Sequence, residues 1–518
     1  MTSGLHHITL ITRKVQANVD FYAGFLGMRL VKRTAGFEDA TQLHLFYGDA
    51  IASPGSLVTF LVWEDGSPGR VGHGAPGEIA LAIHPEAIGF WLTRALKFGV
   101  KTSGPAQEFG EPVLRLTDPD GIIVKLAGVS DLTGTSPWTS REISETDAIQ
   151  RLHSATIFSE QPADTVAFLT TYMGFTEAAH TDTITRLRSD AGGVIDIRDA
   201  GGFWTAAPGT GTIDHIAVRA PDRAHVEAVA TQLNEKAHGP TNVHDRTYFY
   251  SLYVREPSGT LLEMATDGPG FAIDEPLETL GTELFIPAHF RKDAVDDRVM
   301  LPQFGLPGEP RTIYRDLPFV HRLHVADEPD GSTVILLHGT AGNETSLLPL
   351  GRRLFPNATL IGLRGRSTGE GVARFFGRFD PTTFDQKEIR SEAEAFEAFM
   401  EEATQAYDLD PEKLTFLGYS NGANMIGASM LLHPGLIRNA ILLRPMLVLE
   451  DVPVADLHGS RVLMVGGAND PYVSYSGALE QALAGAGAEL THKTIDSGHG
   501  LSTEDEAVAA KWLRGSNP

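Results

Sequence analysis

The sequence contains no cysteine, which excludes disulfides, thiolate-ligated zinc, iron–sulfur clusters and thiol nucleophiles. Any metal must therefore sit on His, Asp or Glu. Positive charge is also scarce: 42 Lys and Arg stand against 66 Asp and Glu, a formal charge of -24, which opposes binding to nucleic acid or to anionic membranes. Long apolar runs are missing too. No window approaches the ~18 uninterrupted apolar residues of a membrane span, and Met1-Thr2-Ser3-Gly4 has neither the basic region nor the apolar core of a secretory signal. A soluble, cytoplasmic protein is expected, with self-association left open. The 42% hydrophobic and 21% charged residues are enough to build real cores, and 518 residues exceed one compact domain.

Internal repetition organises the first half. Leu5-His6-His7-Ile8-Thr9-Leu10, a helix ending Asp20-Phe21-Tyr22, and Leu26-Gly27-Met28 return as Leu152-His153-Ser154-Ala155-Thr156-Ile157, a helix with Phe168 and Leu169, and Met173-Gly174-Phe175. A second pair of segments ends in Asp118-Pro119-Asp120-Gly121 and Glu256-Pro257-Ser258-Gly259, each a turn followed by an apolar strand. Four βαβββ modules are expected, at about 5–65, 76–130, 150–200 and 211–268. They group into module pairs over 1–131 and 148–270, with a loosely ordered Ser/Thr/Asp-rich connector between them. Prolines interrupt 271–325, which reads as a linker. From 326 to 518, buried strands alternate with helical segments, the mark of a parallel α/β sheet. The fold class is thus α+β followed by α/β.

His7 and His215 each lie on the first strand of a module, and Glu263 sits among apolar neighbours in Leu261-Leu262-Glu263-Met264. A carboxylate facing a core is costly unless it is paired or bound to a metal. Two histidines and one carboxylate leave open coordination positions, the arrangement suited to non-haem Fe(II) and oxygen chemistry. His153 competes with His7 for the third place, because consecutive modules three and four would join His153, His215 and Glu263. Lys125, at the position matching Glu263, cannot ligate while protonated.

These motifs, with Val31-Lys32-Arg33-Thr34, Asp214-His215 and the run from Arg246 through Tyr253 to Glu263, resemble the vicinal oxygen chelate (glyoxalase) superfamily, specifically its hydroquinone-type extradiol ring-cleaving dioxygenases. The resemblance covers about residues 1–290. It implies Fe(II), with Mn(II) as the alternative, on His7, His215 and Glu263, with His6, Thr9, Arg246 and Tyr253 around them. It also implies O2 and a small aromatic as substrates, and a pairing of module one with module four, which favours His7 over His153. In that family His-His often stands where this chain has Asp214-His215, so one neighbour of the metal differs. A glyoxalase-like isomerase and a ligand-binding module without turnover are the competing readings.

In the back half, Gly418-Tyr419-Ser420-Asn421-Gly422 joins the apolar strand Leu414-Thr415-Phe416-Leu417 to a helix-capable segment, the context of a nucleophile elbow. Asp470 follows a strand and His499 lies in a small-residue loop, in the chain order Ser, Asp, His. Ser420 would attack, His499 would take its proton and Asp470 would orient the imidazole, with Asp496 as the rival acid. The amides of Thr340 and Asn421 would form the oxyanion hole, and His338 would stabilise its loop. This part resembles the carboxylesterase and phospholipase-like branch of the α/β-hydrolases. Without a long cap insertion, it should accept a small ester or lactone.

Overall fold

The computed structural model describes residues 4–190, 192–236, 240–290 and 292–515. The four expected modules are present. The first is β1 (Leu5–Thr12), α1 (Val15–Val19), β2 (Arg29–Ala35), β3 (Leu43–Gly48) and β4 (Leu57–Val62). The second is β5 (Ala75–Ile83), α2 (Ile88–Phe98), β6 (Thr102–Glu108), β7 (Glu111–Thr117) and β8 (Ile123–Gly128). The third is β9 (Arg151–Ser159), α3 (Pro162–Tyr172), β10 (Thr176–His180), β11 (Ile184–Arg188) and β12 (Val194–Asp199). The fourth is β13 (Thr212–Ala220), α4 (Arg223–Glu235), β14 (Asn242–Asp245), β15 (Phe249–Arg255) and β16 (Leu261–Pro269). The repeated turns work alike: Asp118 accepts from the amides of Asp120 and Ile122, and Glu256 from those of Ser258 and Thr260. Gly121 and Gly259 supply the left-handed φ of 93° and 106° that ordinary side chains resist.

Non-consecutive modules share sheets. One sheet runs β14-β15-β16-β13-β1-β4-β3-β2 and the other β10-β11-β12-β9-β5-β8-β7-β6. Module one therefore joins module four through antiparallel β1 and β13, and module two joins module three through β5 and β9.

The connector and the linker are more ordered than their composition suggests. Trp91 donates to the Asp147 carbonyl at 2.9 Å, Arg94 pairs with Glu142 at 2.9 Å, and Ile143 is buried, so the stretch between modules two and three is pinned to α2. After β16 the chain folds back on its own sheet, where β17 (Leu284–Phe285) pairs with β2. Residues 1–292 and 304–311 form one unit, and 293–303 with 312–518 form the other. Buried Lys32 explains the fold-back: its ammonium lies 2.7 Å from Asp274 and 2.5 Å from Glu275, over the rings of Tyr248 and Phe285. Replacing Lys32 by Met leaves the buried Glu275 carboxylate unpaired, a cost of about 3–5 kcal/mol. The expected result in urea is an earlier unfolding transition for the N-terminal unit and an unchanged one for the C-terminal unit.

The second unit is a seven-stranded sheet flanked by helices. Its strands are β18 (His321–His324), β19 (Thr333–Leu337), β20 (Thr359–Leu363), β23 (Leu414–Tyr419), β24 (Asn439–Leu443), β25 (Arg461–Gly467) and β26 (Glu489–Ile495), while β21 (Arg378–Asp380) and β22 (Thr383–Phe384) form a separate hairpin. The order is β18-β20-β19-β23-β24-β25-β26, parallel except at β18. Alternate residues of β19 feed two cores: Ile335 and Leu337 on one face, Val334 and Leu336 on the other. Burial on both faces is what an uninterrupted apolar strand requires.

Candidate active sites

Strand register brings the metal-ligand candidates of the front half together. On adjacent strands Glu263 stands opposite Ala217, and Ala217 opposite His7; His215, two residues before Ala217, shares its face and stands opposite Thr9. His7 Nε2 lies 3.3 Å from His215 Nε2 and 3.1 Å from Glu263 Oε2, and His215 Nε2 lies 2.8 Å from Glu263 Oε2. Among the described residues these three form the one cluster of His, Asp and Glu able to hold an ion.

The surroundings aim these atoms inward. His7 Nδ1 bonds His6 Nδ1 at 2.9 Å, and His215 Nδ1 bonds the Asp214 carboxylate at 2.6 Å, so both Nε2 atoms face the centre. The Ser251 hydroxyl donates to Glu263 Oε1 at 2.5 Å, while buried Oε2 has no hydrogen bond of its own. Three converging donors need a cation among them. Burial works against protonation of His215, yet Asp214 and Glu263 raise it to about 9. Burial likewise opposes ionisation of Glu263, but His7 and His215 hold its carboxyl well below the usual range. A metal cation fits a set of two imidazole nitrogens and one carboxylate, and the carboxylate behind His215 is the support that such ligands usually have.

A cavity of about 560 Å³ opens beside the cluster. Thr9, Asp214, Arg246 and Tyr253 line it, together with Phe37, Phe46, Phe249 and Phe285. Tyr253 stands opposite Glu263 on β15, its ring edge-on to His215 at 5.5 Å. Burial and the Glu263 charge raise its phenol well above 10, so the hydroxyl stays a donor. Arg246 lies in the β14–β15 turn, over Phe37 and Tyr253, and pairs with Glu38 at 3.0 Å. His6 does not line the cavity: it sits behind His7 against Phe249, and burial, then His7, lower it to about 3. Its contact is with His7 rather than with the cavity.

The sequence reading missed His44, which lines the cavity and bonds Thr59, itself bonded to Thr9. Its only signal is the alternation His44, Phe46 on β3, which does not point to His7.

His153 is elsewhere. In the second sheet Ala80 stands opposite both Lys125 and Ser154, and Glu78 opposite Thr156. Register therefore places Ser154, Glu78 and Lys125 where the first sheet has His7, His215 and Glu263. His153 matches His6 instead, and bonds Ser154 and Glu111. The Lys125 ammonium, 2.8 Å from Glu78 and 3.2 Å from Glu108, supplies the positive charge there.

In the second unit Ser420 joins β23 to the helix Asn421–Leu432 with φ 50°. A Cβ on Gly418 would meet the Ala423 amide at 2.7 Å, and one on Gly422 the Leu337 carbonyl at 2.1 Å, so the elbow needs both glycines. Ser420 Oγ is 3.0 Å from His499 Nε2, and His499 Nδ1 is 2.8 Å from Asp470 Oδ2. Asp496 accepts from Asn469 instead. The Asn421 amide directly follows the nucleophile, and its side chain accepts from the Phe375 amide at 2.7 Å. Gly339 packs against Tyr419 and Ser420, which brings the chain at Thr340 alongside the elbow. His338 donates to the Gly339 carbonyl at 2.6 Å and accepts from the Gly365 amide at 3.0 Å, bracing that loop.

Residues 4–126 and 151–264 match the family model described as the glyoxalase/bleomycin resistance protein/dioxygenase superfamily. A Bacillus subtilis (strain 168) protein named as a ring-cleaving dioxygenase, MhqO, is 36% identical over 314 residues, 60% of this chain and 98% of that protein. The chlorohydroquinone/hydroquinone 1,2-dioxygenase of Sphingobium indicum is 30% identical over 294 residues, 54% of this chain and 90% of that protein. A further B. subtilis protein named as a hydrolase, MhqD, is 34% identical over 186 residues, 35% of this chain and 92% of its own length. No helix among the described residues is long and apolar enough to cross a membrane.

Proposed function

Because the chain belongs to the glyoxalase/bleomycin resistance protein/dioxygenase superfamily and joins to that part an α/β-hydrolase, we propose that it is a bifunctional enzyme: an Fe(II)-dependent, extradiol-type dioxygenase acting on hydroquinone- or catechol-like aromatics, and a serine hydrolase of small esters or lactones. The observation that carries the first activity is the convergence of His7, His215 and Glu263 at the end of an aromatic-walled cavity. The relative named for hydroquinone cleavage supports the substrate class.

His7, His215 and Glu263 would hold a ferrous ion, which would supply Lewis acidity and redox capacity toward a phenol and O2. The chain's own groups orient and protonate. Asp214 and His6 fix the two imidazoles, and Ser251 fixes the carboxylate. The aromatic walls hold the ring, and Thr9 offers it a hydroxyl. The Tyr253 phenol donates to an oxygen gaining negative charge, and Arg246 adds cationic stabilisation beside it. In the second unit Ser420 attacks the ester carbonyl while His499 accepts its proton, Asp470 stabilises the imidazolium, and the Thr340 and Asn421 amides bind the oxyanion. Metal analysis with anaerobic Fe(II) or Mn(II) reloading tests the cofactor: activity with hydroquinone should return with iron, and its return with neither metal contradicts the assignment.

Replacing Arg246 by Met should leave iron content unchanged and lower turnover of hydroquinones by about 100- to 1000-fold, the range of one charge-stabilising group. Steady-state kinetics equal to those of the unaltered protein would return Arg246 to a surface role with Glu38.

A further inference from the structure

Arg444 follows β24 in a left-handed conformation, φ 55°, that a non-glycine residue rarely keeps without compensation. Its side chain is fully buried and pairs with Asp505 at 2.6 and 3.0 Å. A buried ion pair alone would be replaceable by apolar packing. The remaining bonds tell what this one does: the guanidinium donates to the Gly498 carbonyl at 2.9 Å, the Ser497 hydroxyl at 2.8 Å and the Gly500 carbonyl at 3.1 Å. Those residues flank His499 on both sides. One residue earlier, the Leu443 carbonyl accepts from the Ser420 amide at 2.8 Å. A single corner of the chain thus holds the nucleophile through its backbone and the loop of the base through a side chain. Asp505 also closes the capping box with Ser502 at the start of the helix Thr503–Arg514, which anchors the far end of that loop.

We propose that Arg444, braced by Asp505, is a positioning residue that sets the His499 imidazole at hydrogen-bonding distance from Ser420. This rests on the serine-hydrolase reading above. Loop carbonyls on both sides of a general base need a donor with several fixed N–H groups, and only a guanidinium offers that fork. Lysine would keep the charge and lose the fork.

The test uses the full chain with p-nitrophenyl acetate and a fluorophosphonate label. Arg444→Gly keeps the left-handed backbone and removes the fork; kcat should fall by about 100-fold, the effect of a 1 Å misplacement, with KM within about twofold. Guanidinium chloride at non-denaturing concentration should restore at least about tenfold of that loss without raising the melting temperature, a response that a merely structural role would not give. If Arg444→Gly does not fold, Asp505→Asn supplies the comparison of kcat with KM, without the guanidinium arm, and a smaller fall in kcat is expected. An unlabelled wild-type protein would overturn the hydrolase reading and this inference with it. A labelled wild type with unchanged kcat in the variant, a loss confined to KM, or no guanidinium rescue would overturn the positioning role alone.

Discussion

Glu263→Gln should abolish iron retention and hydroquinone-dependent oxygen uptake while ester hydrolysis stays within about twofold of the unaltered protein. Glutamine has the same shape and can still accept from Ser251, so the fold has no packing reason to fail. What it removes is the negative charge between two imidazoles that lie 2.8 and 3.1 Å away. Changes one layer out from a metal commonly cost 10- to 100-fold in affinity, so losing a direct ligand should cost at least about 100-fold. His7→Ala should behave alike. His153→Ala should not, since His153 is engaged with Ser154 and Glu111 in the other sheet. Full iron content and oxygen uptake in Glu263→Gln would contradict the ligand set.

The reciprocal result is expected in the other unit. Ser420→Ala should lose fluorophosphonate labelling and lower ester hydrolysis by at least about 10³-fold, because a triad without its nucleophile keeps only binding and oxyanion stabilisation. Oxygen uptake should be untouched, and a chelator should leave the esterase activity of the unaltered protein intact. Labelling that persists in Ser420→Ala would place the nucleophile elsewhere.

Local chemistry made much of this legible in the sequence. The turns Asp118-Pro119-Asp120-Gly121 and Glu256-Pro257-Ser258-Gly259 mark equivalent strand entries, Glu263 is conspicuous because its neighbours are apolar, and the glycines around Ser420 mark a tight elbow. Partners far apart in sequence were harder to read. Which modules share a sheet depends on pairing between β1 and β13, some two hundred residues apart, and strand composition alone carries no such address. Once that pairing is known, register assigns His153 to the place of His6. Proline-rich composition hid the fold-back after β16, since β17 is only two residues long and the segment is held by Lys32. Nothing in the sequence singled out Arg444, since its targets around His499 lie more than fifty residues away.

The most direct measurement is oxygen uptake by the 518-residue chain, reconstituted anaerobically with Fe(II) and then given hydroquinone and air. The expected result is one O2 consumed per hydroquinone, with loss of the aromatic absorbance and a ring-opened product carrying both oxygen atoms. Iron bound at His7, His215 and Glu263 with no oxygen consumed, or oxygen consumed with only quinone formed, would contradict a ring-cleaving function and leave an isomerase or a binding module in its place.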